Sequence, residues 1–97
     1  MEPLPRSMIY LYLQRRSSEV VLLRKGLEEN SISEFKRLGH QVKGNARTFG
    51  FIDLESIAIK MEQVSTSNLQ ELGPILIDDF LNCINKNIKD FDSQTLV

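Results

Sequence analysis

Three prolines, one cysteine and one histidine are all that this 97-residue chain holds of those residue types, and each scarcity excludes something. A single thiol, Cys83, permits no intrachain disulfide, which suits a reducing compartment. It lies in an apolar, helix-like stretch and reads as a small core or boundary residue. One cysteine and one histidine do not build a zinc site of the usual kind, so no metal ligands are assigned. Neither sign of charge dominates. The formal net charge of -1 gives the whole chain no bias toward nucleic acid or an anionic membrane, so any electrostatic role must be local. Long apolar runs are also missing. The run Met8-Ile9-Tyr10-Leu11-Tyr12-Leu13 is too short to span a bilayer, and no small-residue cleavage pattern follows it. The chain therefore reads as cytoplasmic. A glycine-rich nucleotide loop and a carboxylate cluster suited to catalytic Mg²⁺ are likewise absent from the pattern.

What is present is helical. Hydrophobic residues make up 41% of the chain, enough to argue against disorder and for one compact domain. Proline is absent from Arg6 through Gly73, and no sustained period-two alternation marks a strand. The spacing predicts a first helix from about Met8 to Glu29, with Ile9, Leu13, Val20, Leu23 and Leu27 on one face. Arg16 interrupts that face, and Ser17 and Ser18 favour a bend there. Asn30 is a suitable stop. A second helix begins at Ser31, where Ser31-Ile32-Ser33-Glu34 reads as a capping box, and it ends at Gly50. Its apolar stripe is Phe35, Leu38, Val42, Ala46 and Phe49. A third helix covers about Asp53 to Val64, with Asp53 as N-cap. A fourth runs from about Asn68 to Phe91, with Ser67 and Gln70 as a second capping box. Pro74 in that helix predicts a kink, or a helix start at that point. Short links between the helices imply an all-α fold, an antiparallel up-and-down four-helix bundle over residues 8–91. Residues 1–7 and 92–97 are read as irregular tails.

The chemistry sits on the second helix. At about 100° per residue, Ser33, Lys36, Arg37, Lys43, Gly44 and Arg47 fall within about 60° of His40. The apolar stripe lies on the other side. A lone histidine is most often a satisfied core residue or an idle surface one, and this periodicity excludes the core. Two neighbours favour a role. Gly44 lies one turn after His40, where a mid-helix glycine costs roughly 1 kcal/mol relative to alanine; on the outward face it gives a partner's backbone clearance to approach the imidazole. Lys43, at i+3, is a side-chain neighbour of His40, and its ammonium can pair with the oxygens of an attached phosphoryl group.

The string His40-Gln41-Val42-Lys43-Gly44-Asn45-Ala46-Arg47-Thr48-Phe49-Gly50 resembles the signature of the histidine-containing phosphotransfer (HPt) domain family. In that signature the histidine is followed by any residue, an aliphatic, Lys, Gly, two small residues, any two residues, an apolar residue and Gly. Leu54, Ile57 and Met61-Glu62 match the family's third-helix pattern, and Arg37-Leu38-Gly39-His40 is typical of one branch. The likeness covers roughly Met8 to Phe91.

The resemblance implies a four-helix bundle whose exposed histidine accepts a phosphoryl group on Nε2 and exchanges it with the aspartate of a response-regulator receiver domain. It implies a receiver, a hybrid sensor histidine kinase, or both as partners, and a monomer as the default. It implies no nucleic-acid or membrane partner and no cofactor bound by this chain, with Mg²⁺ expected on the receiver. The chain would be a phosphoryl carrier without ATP-dependent kinase activity of its own. Glu62 falls where the family often places a Gln or Glu facing the histidine. A carboxylate there can accept the Nδ1–H, fix the tautomer and leave Nε2 free. Arg47, and less directly Lys36 and Arg37, are candidates for holding phosphate or steering an acidic partner surface. The alternative reading is a non-catalytic helical module that binds a receiver or kinase domain.

Overall fold

The computed structural model describes residues 5–95, with side chains through Phe91. Of the two tails read from the sequence, residues 1–4 and 96–97 lie outside the described residues. Among the described residues there are five helical segments and no strand: α1 (Arg6–Ser18), α2 (Val20–Glu28), α3 (Ser33–Ala46), α4 (Ile52–Glu62) and α5 (Leu69–Thr95).

The predicted first helix is thus divided. The helical pattern is interrupted at Glu19, whose N–H is shared between the carbonyls of Arg15 and Arg16 at 3.3 and 3.2 Å. The interruption falls just after the serine pair, whose propensity is weak; Ser18 Oγ donates back to the Arg15 carbonyl at 2.8 Å. Arg16 does not merely interrupt the apolar stripe. It is buried, and its guanidinium is held by Glu19 at 2.6 Å and lies 5.2 Å from the Tyr12 ring centroid. A buried charge persists when it is paired, and here one side chain at the break supplies the pair.

Both predicted left-handed stops are made. Asn30 (φ 51°) and Gly50 (φ 86°) take that conformation. Ser31 N–H then reaches the Gly26 carbonyl at 2.8 Å and Phe51 N–H the Ala46 carbonyl at 2.9 Å, the bonds of a Schellman ending. The predicted N-caps shift. α3 starts at Ser33 behind Ile32, which makes no side-chain cap; Ser31 Oγ accepts from the Ser33 N–H at 3.4 Å, while the Glu34 carboxylate takes Arg37 instead of reaching back to Ser31. Asp53 is the second residue of α4, not its cap; it accepts from Leu54 N–H and from Asn87 on α5. Gln70 likewise leaves its capping role, donating to the Leu27 carbonyl and to Asn30 at 2.9 and 3.0 Å. Asp53 and Gln70 are thus drawn to partners on other elements. α5 begins at Leu69, passes through Pro74 without a break and continues to Thr95, beyond the predicted end at Phe91.

Phe35 and Phe80 are fully buried at the centre, with Leu13, Leu23, Leu38, Val42, Leu54, Met61, Leu69, Ile77 and Ile84 around them. The predicted stripes supply most of this core. Ile77 joins it from outside them, while Leu72 is partly exposed at 37%. α3 packs most extensively on α4; α4, α1 and α2 all pack on α5, and α2 also meets α3. This leaves the polar face of α3 open beside the last turn of α4.

Candidate functional site

α3 buries Phe35, Leu38, Gly39, Val42 and Ala46, and this registers the opposite face outward. His40 is at its crest, with 76% of its side chain exposed. Gly44 follows one turn later, and a Cβ built on it would meet nothing within 4 Å. The packing explanation for that glycine therefore does not apply, and the helix surface around it is open.

Glu62, the last residue of α4, is the hub of the site. Its Oε1 lies 3.6 Å from His40 Nδ1, beyond a hydrogen bond but within direct electrostatic reach. Its Oε2 is 2.8 Å from Lys43 Nζ. Lys36, one turn before His40, donates from Nζ to the Glu62 main-chain carbonyl at 3.0 Å, closing the carbonyl end of α4 with a cation as helix termini favour. Lys36, His40 and Lys43 thus converge on one residue. The hydrogen bond from Lys43 holds the Glu62 carboxyl below the ordinary glutamate range against the opposing pull of partial burial, with the charges of Lys43 and then His40 helping.

The remaining sequence candidates are placed nearby but are not free. Arg47 is bound by Glu55, Nε to Oε2 at 3.0 Å and Nη2 to Oε1 at 3.1 Å, a two-pronged tie between the end of α3 and the start of α4. Arg37 is held by Glu34 and Gln41 on its own helix and has Glu19 3.9 Å away. The cation-rich face is therefore a face of matched pairs.

Two contributors escape a reading of the motif alone. Gly39, immediately before His40, lies against α4. A Cβ there would sit 2.7 Å from the Glu62 nitrogen and 2.8 Å from the Ala58 carbonyl oxygen. Close packing, the ordinary explanation for a helical glycine, belongs to Gly39; the signal was its angular position toward the buried side. Second, Asn45 accepts a short hydrogen bond from the Tyr12 hydroxyl, and Tyr12 stacks on Phe49 with ring centroids 4.2 Å apart. These contacts pin α1 to the end of α3. Burial pushes the Tyr12 hydroxyl up to about 12.

Among the described residues, no group of three or more His, Cys, Asp or Glu side chains is placed to hold a metal ion, and no helix is long and apolar enough to cross a membrane.

The helical bundle thus lifts one imidazole clear of its surface, with a carboxylate and an ammonium beside it. The family model of the Hpt domain matches residues 7–92, nearly the whole chain, and the protein belongs to that family. It is accordingly a phosphotransfer module of two-component signalling, a class whose members work with receiver domains or kinases in phosphorelays. No curated protein and no solved structure matches the chain.

Proposed function

We propose that this protein, its helices in antiparallel up-and-down order, accepts a phosphoryl group on His40 and exchanges it with the aspartate of a response-regulator receiver domain. The observation that carries the reading is the placing of one exposed imidazole with Nδ1 turned to Glu62 and Lys43 within reach of the same carboxylate.

The steps follow from these positions. The Glu62 carboxylate favours a proton on Nδ1, so the lone pair resides on Nε2. That lone pair attacks the phosphorus of a receiver aspartyl-phosphate; the N–P bond forms as the P–O bond to the aspartate breaks, and the electron pair leaves on the aspartyl carboxylate. The imidazole keeps its Nδ1 proton throughout and becomes a phospho-imidazolium, whose positive charge Glu62 faces. Lys43, on a flexible stem, swings toward the phosphoryl oxygens. Transfer onward is the same sequence reversed. Positioning and charge do the work, as phosphoryl transfer generally requires. The acidic metal site and its Mg²⁺ belong to the receiver. Lys36, Arg37 and Arg47 act in this reading mainly as ties that hold the site together, since phosphate would have to displace the partner each already has. Gly44 leaves room for the receiver to close on the imidazole.

The test is incubation with a receiver domain carrying radiolabelled aspartyl-phosphate. The expected product is acid-labile, base-stable label on the wild type and none on His40→Gln. Label that persists in His40→Gln, or a tight receiver complex that never becomes labelled, overturns the proposal; the second result favours a non-catalytic binding module.

A further inference from the structure

We infer that Gly39 is a positioning residue for this reaction: by lacking a side chain it lets the last turn of α4 seat directly on α3 beside His40, and so sets the reach of the Glu62 carboxylate to Nδ1 and to Lys43. The inference rests on the phosphotransfer reading above and adds a residue that touches none of the reacting atoms.

The geometry is specific. The atoms nearest a Cβ at position 39 are main-chain atoms of α4: the Glu62 nitrogen at 2.7 Å, the Ala58 carbonyl oxygen at 2.8 Å and the Glu62 Cα at 3.2 Å. None can rotate away as a side chain would. A carbon at van der Waals contact needs about 3.5 Å, so a methyl group at this position displaces α4 by roughly 0.8 Å, from the 2.7 Å contact. The displaced residue is the one that holds the site. Glu62 stands 3.6 Å from His40 Nδ1 and 2.8 Å from Lys43 Nζ, and its own carbonyl takes the Lys36 ammonium at 3.0 Å. All three relations run across the gap that Gly39 keeps narrow. Lys36 clamps this gap from one side of His40 and Lys43 from the other, so backing α4 away loosens all three together. The exposed crest of α3, with His40 and Gly44, is not altered by the change, so receiver docking should be spared while chemistry is not.

The experiment compares wild type with Gly39→Ala, thermal melting first establishing that the variant is folded. Single-turnover transfer from a phosphorylated receiver is measured over a range of receiver concentrations. The expected result is a transfer rate at saturation lower by roughly tenfold, consistent with the cost of sub-ångström to ångström misplacement, and an unchanged half-saturating receiver concentration. Two readouts need no phosphate. The ¹³C titration of the Glu62 carboxyl should move up toward the ordinary glutamate range, and the ¹⁵N shifts of His40 should show a smaller fraction of the Nδ1–H tautomer. A folded Gly39→Ala with wild-type rate, titration and imidazole shifts overturns the inference. If Gly39→Ala does not fold, Glu62→Asp decides: it withdraws the carboxylate by one methylene while leaving the α3–α4 contact intact, and a wild-type transfer rate there overturns the inference equally. Wild type that never becomes labelled would sink the phosphotransfer reading, while the two spectroscopic readouts would still judge Gly39.

Discussion

Replacing Arg16 by alanine should cost this small domain about 2 kcal/mol. The guanidinium is one of few charges taken out of water here: its side chain is 8% exposed and that of its partner Glu19 is 15% exposed, with 2.6 Å between them. Breaking a buried pair by removing one member costs about 3–5 kcal/mol, because the other charge is left without compensation. Two features of the structure reduce that figure. Glu19 is not wholly buried, and Arg37 already lies 3.9 Å from its other oxygen and can close on it. The lost contact of the guanidinium with the Tyr12 ring, 5.2 Å from the centroid, adds back about 0.5–1 kcal/mol. A net loss of about 2 kcal/mol corresponds to a fall in Tm of roughly 8–16 °C for a domain of this size.

Urea unfolding followed by far-ultraviolet circular dichroism measures the loss directly, provided the slope m is unchanged. A double-mutant cycle with Glu19→Gln should return a coupling energy above about 1 kcal/mol, little weakened by salt because the pair is shielded from solvent. A loss under about 0.5 kcal/mol, or coupling that vanishes at high salt, would refute the idea that a paired charge replaces apolar packing at the α1–α2 junction.

Three further outcomes follow from particular side chains. Burial, aided by nearby Asp53, pushes the Cys83 thiol up to about 12 from an ordinary 9.0; at mildly alkaline pH it should react with a disulfide reagent roughly a thousandfold more slowly in the native protein than in the unfolded chain, and comparable rates would contradict the buried placement. Gly44→Ala meets no neighbour, so it should raise stability by about 1 kcal/mol while slowing transfer from the receiver; faster or equal transfer would remove the clearance argument. Glu62 has its pKa lowered in the folded state, chiefly by the hydrogen bond from Lys43. A lowered carboxyl contributes stability that is present above its unfolded pKa and is lost as pH falls through the folded value. Glu62→Gln should therefore be less stable than wild type near neutrality and match it in strong acid; a gap that widens on acidification would show the sign to be wrong.

Much of this was legible in the sequence, for identifiable reasons. The helices follow from apolar spacing, since burying one face requires periodicity whatever the partner is. The stops at Asn30 and Gly50 follow from a local property, tolerance of the left-handed region. His40 could be placed outward because a stripe as clean as Phe35, Leu38, Val42 and Ala46 leaves little angular choice. The capping boxes failed for the opposite reason. Ser31 with Glu34 and Ser67 with Gln70 are local patterns whose acidic or amide member found another partner: Glu34 a competing cation one turn along its own helix, Gln70 a carbonyl across on α2. The pairing of Arg47 with Glu55 and the contact of Gly39 with α4 are properties of two helices together, and no single-helix projection contains them.

That pairing changes the electrostatic account of the site. Read on one helix, Lys36, Arg37, Lys43 and Arg47 surround His40 with unopposed positive charge, and an acidic partner would be steered by it. In the folded chain Glu34, Glu62 and Glu55 pair with Arg37, Lys43 and Arg47, so most of that charge is matched before any phosphoryl group arrives. In the proposed reaction the phosphoryl group is then the unmatched charge. Of the cations present, Arg47 and Arg37 are forked guanidiniums held by two or more contacts each, and Lys36 is committed to a main-chain carbonyl. Lys43 is a single ammonium on a flexible stem, paired with the carboxylate that also faces the imidazole. In the proposed reaction phosphorylation would create a cation on that ring, which Glu62 would take as its new counterion as Lys43 turned to the phosphoryl oxygens. The exchange replaces the one Lys43–Glu62 pair with two, needs no proton to leave Nδ1, and confines the rearrangement to three side chains. In the proposed relay the same three side chains would serve loading and unloading, since each step is the reverse of the other.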